Sequence, residues 1–113
     1  MDKTLKYKEI IVSFLISYAE STYGQDPSGI ETKVITDIDN GHFQIFRVGW
    51  HDNKHVHYTP IHIDIKADKV WIQVNNTEQQ LGDLLVAHGI PKQDIVLGFQ
   101  QKELRALTGF AAV

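Results

Sequence analysis

The chain has 113 residues and no cysteine. Disulfides, thiolate metal sites and cysteine nucleophiles are therefore excluded. Long apolar runs are missing as well. The most apolar stretch, Ile10 to Ile16, falls far short of the roughly 20 residues that span a bilayer. The opening Met1-Asp2-Lys3-Thr4-Leu5-Lys6 has no apolar signal segment behind it. The expectation is a cytoplasmic protein without membrane contact. A basic excess is absent too: 11 Lys and Arg face 14 Asp and Glu, for a net charge of -3. Duplex binding draws its affinity from phosphate contacts by clustered cations, so this balance argues against strong DNA binding by the chain alone. Arg47 and Arg105 are the only arginines. A strand position for Arg47 suggests a cross-strand ion pair. No Gly-x-Ser-x-Gly elbow and no glycine-rich phosphate loop occur, and no cofactor is implied.

What is present is an ordinary globular composition, 42% hydrophobic and 22% charged, long enough for one core and one domain over residues 1–113. Tyr7, Ile10, Ile11, Phe14 and Tyr18 recur at helical spacing, which predicts a helix from Asp2 to Tyr23 stopped by Gly24. Alternating residues then predict four strands: Glu31 to Ile38, His42 to His51, Lys54 to Lys66, and Lys69 to Asn75. The turn signals between them, Asp39-Asn40-Gly41, Asp52-Asn53 and Ala67-Asp68, are short, so the strands form an antiparallel meander. Pro60 cannot donate to a ladder, so the third strand is at an edge there or bulged; the bulge is preferred because it also lets the face alternation shift between His55 and Ile65. Thr77 with Gln80 reads as a capping box opening a second helix. Leu81, Leu84, Leu85 and His88 form its inward stripe, and Gly89-Ile90-Pro91 ends it. A short buried run, Ile95 to Phe99, a helical turn from Lys102 to Leu107 and an apolar tail, Phe110 to Val113, complete the chain. The fold class is α+β: an N-terminal helix, a four-stranded meander, a second helix packed on the sheet and a short irregular or helical C-terminal segment.

Two groups of residues are candidate sites. His55, His57, His62 and Asp64 lie on one strand, where alternate side chains share a face. Such a set is a candidate metal cluster or acid–base pair, and the basis of a metal-dependent hydrolase reading. Its plainer meaning is a solvated polar sheet face, because no further ligand stands at a diagnostic spacing. The apolar tail must be covered by its own domain or by another chain. Arg105, Phe110, Ala111 and Val113 are thus a candidate partner interface. A direct DNA-binding reading requires Lys54, Lys66, Lys69 and Arg47 to converge on one surface of the sheet.

Several segments together resemble the XisI-like family. They are Val48-Gly49-Trp50, His62-Ile63-Asp64-Ile65-Lys66, Lys69-Val70-Trp71-Ile72-Gln73, Asn76-Thr77-Glu78, Gly89-Ile90-Pro91-Lys92 and Asp94 to Phe99, in family order. The first helix fits too, so the resemblance covers nearly the whole chain. The C-terminus departs from the pattern: Gln100 stands where the family usually has a histidine, and Lys102 where it has a proline. Arg105, Thr108, Phe110 and Ala111 still align. The resemblance implies a non-enzymatic controlling factor for excision of the fdxN DNA element. It also implies action beside a XisH-like partner while a separate recombinase exchanges strands. The apolar tail adds the expectation of a homo-oligomer.

Overall fold

A computed structural model describes residues 3–113. The first helix, α1, runs Lys3–Tyr23; the expected start at Asp2 lies outside the described residues. Tyr7, Ile11, Phe14 and Leu15 are buried, so the helical period selects the core-facing stripe as expected, with Leu15 added. Gly24 follows because a Cβ there would stand 2.4 Å from the Glu20 carbonyl oxygen.

The next four elements are β1 (Glu31–Asp37), β2 (His42–His51), β3 (Lys54–Lys66) and β4 (Lys69–Asn75). Each pairs antiparallel with the one before it. The β2–β3 and β3–β4 connections are two-residue turns with both residues at positive φ, Asp52-Asn53 and Ala67-Asp68, the handedness that matches strand twist. Pro60 sits in a bulge, where the β2–β3 register shifts between Ile45 and Arg47. A second irregularity lies between His62 and Ile63 in the β3–β4 pairing.

One expectation about the sheet needs correction. Among the described residues it has five strands, in the order β1-β2-β3-β4-β5. The buried run after the second helix supplies β5 (Ile95–Leu97), which pairs parallel to β4. Three residues are too few to show alternation, so periodicity could not reveal it. The intervening helix, α2 (Leu81–Ala87), makes the crossover that a parallel pair requires.

The expected capping box also fails. Gln80, at the N-cap of α2, makes no side-chain cap bond. Asn75 takes Thr77 instead: the Thr77 hydroxyl donates to Asn75 Oδ1 at 2.6 Å and accepts the Gln79 N–H at 3.1 Å. This local turn competes with the helix start and delays it. The C-terminus of α2 follows expectation. Gly89 has φ 109°, and the Gly89 and Ile90 N–H groups donate to Val86 and Leu85 carbonyls, a Schellman pattern with Ile90 buried beneath it. Leu81 and Leu85 are buried, whereas His88 is exposed, its ring edge-on to Phe14.

Beyond β5, α3 spans only Lys102–Arg105, shorter than the expected turn. The core joins Tyr7, Ile11, Phe14 and Leu15 to sheet residues Phe43, Ile45, Ile61, Ile63, Val70, Ile72 and Ile95, with Leu81, Leu85 and Ile90. Both longer helices therefore lie on one side of the sheet. Among the described residues no helix is long and apolar enough to cross a membrane.

Candidate functional site

The Pro60 bulge decides which polar residues share the uncovered sheet face. β3 residues 57 and 62 are five apart and would point oppositely on a regular strand. The bulge absorbs one residue. Across β2, His57 then pairs Val48, His55 pairs Trp50, His62 pairs Gln44 and Asp64 pairs His42. All four candidate residues thus occupy the same outer face.

They do not form one cluster. His55 lies against the Trp50 ring, with centroids 5.0 Å apart, and His57 lies against Phe46 at 5.5 Å. Asp64 gathers a different set. Its Oδ1 accepts from His62 Nε2 at 2.9 Å and from His42 Nδ1 at 2.8 Å, while Gln73 donates to Oδ2 at 3.3 Å. Partial burial pushes the Asp64 carboxyl up. Hydrogen bonds from His42 and His62 outweigh it and hold the group below the usual carboxylate range. A carboxylate can only accept, so both rings donate to it. Among the described residues no three His, Asp or Glu side chains are arranged to hold a metal ion. Sequence reasoning missed His42. Its signal is the hairpin register, which sets it opposite Asp64 across the β2–β3 ladder.

The four cations of the duplex-binding reading separate. Arg47 faces inward at 6% exposure. It donates to Asp26, to Thr32 Oγ1 at 3.1 Å and to the Ile30 carbonyl at 3.3 Å, and stacks 4.2 Å over Tyr23. The ion pair is with the α1–β1 loop, and the cross-strand partner is Thr32. Lys69 turns to the Gln93 carbonyl and Asp94. Lys66 lies 4.0 Å over Trp71, and Lys54 is exposed at the β2–β3 turn.

The C-terminal segment straps itself to the domain. The Arg105 guanidinium sits 5.1 Å from the centroid of the Trp71 ring. Its Nε donates to the Gln100 carbonyl and its Nη1 to the Val113 carbonyl at 2.7 Å. Phe110 packs on α2 where Gly82 leaves room; a Cβ there would stand 2.7 Å from the ring. Ala111 is buried, and its N–H donates to Ile95 of β5 at 2.8 Å. Phe110 and Ala111 are thus covered by their own domain, while Val113 is 43% exposed. The same segment presents Phe99, an aromatic the sequence offers for an interface, and Leu104 and Leu107, the last 82% exposed, which the sequence reading did not single out.

Helices on one side of a meander sheet, and polar rows on the other, define an α+β protein with a half-covered sheet. The family model described as XisI protein matches residues 1–112. A XisI-like protein from Anabaena variabilis ATCC 29413 is similar at TM-score 0.90 and 33% identity, covering 97% of this chain and 99% of that one. The fdxN element excision controlling factor XisI of the same organism is similar at TM-score 0.83 and 26% identity, with the same coverage. No curated protein matches the chain. The chain belongs to the XisI family.

Proposed function

We propose that this chain is a non-enzymatic controlling factor in programmed DNA excision, acting in the cytoplasm through contact with a XisH-like protein. The observation that carries the reading is the match, over nearly the full length of both chains, to an fdxN element excision controlling factor. Two features of the fold support a role through protein contact. The charged groups that chemistry would use are engaged internally: Asp64 by two histidines and Gln73, and Arg47 by Asp26. Beside Arg105, the exposed Leu104 and Leu107 offer apolar surface of the kind that protein contacts cover.

The test is co-purification with the XisH-like protein of the same genome, with mass determined by light scattering. A complex of fixed stoichiometry that Leu107→Glu weakens is the expected result. Two proteins that remain separate at about 10 μM, near ordinary working affinities, would overturn it. The duplex-binding reading loses Arg47 to the protein interior. A steep salt dependence of binding to duplex DNA would revive it.

A further inference from the structure

The sheet ends differently at its two sides. Beyond β5, the Ala111 N–H donates to the Ile95 carbonyl, so the C-terminal segment closes that side. On the other side β1 has only β2 as a neighbour. Among the described residues no backbone bond from outside that pairing reaches residues 31–36. The ladder tells which groups are left over. The Ile65 N–H donates to the Gly41 carbonyl, so Gly41, Phe43 and Ile45 turn their backbone groups toward β3. Residues 42, 44, 46 and 48 then turn theirs toward β1, where Asp37, Ile35, Lys33 and Glu31 stand opposite. The N–H and C=O groups of Thr32, Val34 and Thr36 therefore point out of the sheet. β1 has seven residues, no proline and an unbroken register, so neither a bulge nor a missing donor blunts this edge.

Beside the edge runs an apolar groove. Ile16 and Ala19 of α1 line it together with Thr32 and Val34 of β1, over about 480 Å³. It continues past Ile16 and Glu20 into an open space of about 710 Å³ lined by Leu5, Val12 and Ile38. Leu5 is 55% exposed, Ile16 46% and Ile38 48%. A strand laid along β1 would send alternate side chains toward α1, as Thr32 and Val34 do, onto this bare apolar side. Only an extended chain can pair the free backbone groups of β1, because a helix uses its own internally.

The charges say which extended chain fits. Asp26 is paired with Arg47, and Lys8 lies near Asp37. Lys33 has Glu31 two residues away on the same outer face, and the adjoining turn adds Asp39. Glu9 and Glu20 line the groove, both exposed, and among the described residues no ion pair takes either. The balance is acidic, so the complementary occupant is basic. Glu9 and Glu20 are separated by about 16 Å of helix rise, which about five residues of strand would span. A second copy fits poorly: β1 laid antiparallel on itself over its full length sets Glu31 against Asp37 at both ends. We propose that the β1 edge and the groove beside it take an extended, basic segment of another protein as a sixth strand. Its alternate apolar side chains face α1, and its cations reach Glu9 and Glu20. The proposal does not rest on the excision reading, whose contact surface lies on the C-terminal segment.

The probe is a blocked peptide of about seven residues, alternating valine and threonine with a lysine at each end, titrated to about 1 mM. Amide exchange is followed residue by residue by NMR. Saturation is expected to slow exchange of the Thr32, Val34 and Thr36 amides at least tenfold. The double variant Glu9→Lys, Glu20→Lys should weaken binding at least tenfold, as should glutamates in place of the peptide's lysines. Thr36→Pro removes a donor that β2 does not use and should weaken binding similarly. Thermal melts establish that each variant is folded; all three changes are at exposed positions. No binding by about 1 mM overturns the proposal. So does binding that leaves the three amides exchanging as before, or that is indifferent to the double variant. Slowing that depends on the concentration of the chain alone would make a second copy the occupant and overturn it as well.

Discussion

The β3–β4 hairpin turns on Ala67, at φ 53°, and Asp68, at φ 62°. Asparagine and aspartate tolerate this left-handed region, whereas alanine is strained there by roughly 1 kcal/mol. Ala67→Gly should therefore stabilise the fold by about 0.5–1 kcal/mol, read as a higher urea midpoint at unchanged slope. The β2–β3 turn, built from Asp52 and Asn53, already has suitable residues and needs no such repair. Arg47 teaches a different lesson about single residues. Its inward position follows from the alternation of β2, but its acidic partner lies 21 residues back in a loop, where no periodicity points to it. The Arg47 hydrogen bond, followed by those from Ser28, lowers the Asp26 carboxyl to about 2. A depressed folded-state value stabilises above the ordinary value of 3.8 and is lost as pH falls through about 2. Asp26→Ala should thus flatten the loss of stability between those values, measured as the difference in urea midpoint along a pH series. Combining it with Arg47→Met should recover part of its neutral-pH cost, because the single change strands a buried guanidinium.

At the scale of elements, the meander was legible because two independent signals agreed: alternation within strands, and turn residues between them. The bounds of β2, β3 and β4 follow from that agreement. Where only one signal existed the reading was weaker. β5 is too short to alternate and is held by its neighbours: β4 on one side and the Ala111 N–H on the other. The start of α2 was misplaced because Thr77 is an equally good partner for Asn75. The polar cluster was legible only in part: alternation paired His62 with Asp64, while the addition of His42 depends on the hairpin register. Helix α2 itself carries a glycine in its first turn, a choice that propensity alone disfavours by about 1 kcal/mol relative to alanine. The reason is Phe110, whose ring fills the place a Cβ would take. Gly82→Ala should nonetheless lower stability by about 1 kcal/mol, overpacking outweighing the gain in propensity. The added change Phe110→Leu should recover part of that loss in a thermal melt, which a purely helical effect would not do.

Across the whole molecule, the elements distant in sequence meet at Asp94. It accepts from the Tyr7 hydroxyl of α1 and pairs with Lys3 at 3.3 Å and Lys69 at 3.5 Å. Burial first, and then the bond to Asp94, pushes the Tyr7 phenol up to about 12. A raised folded-state value stabilises fully below the ordinary 10.0 and is lost as pH climbs through about 12. Tyr7→Phe should remove that alkaline dependence from the stability curve. The strand order adds a consequence in time. Every antiparallel pairing joins strands made one after the other, so the sheet can grow hairpin by hairpin at small loop-closure cost. The Tyr7–Asp94 bond, across 87 residues, closes a far longer loop and is expected to form late. Losing it should leave the folding rate within about twofold while speeding unfolding about tenfold in stopped-flow kinetics. The contact that closes the domain would then govern how long the folded state lasts, and the meander how quickly it is reached.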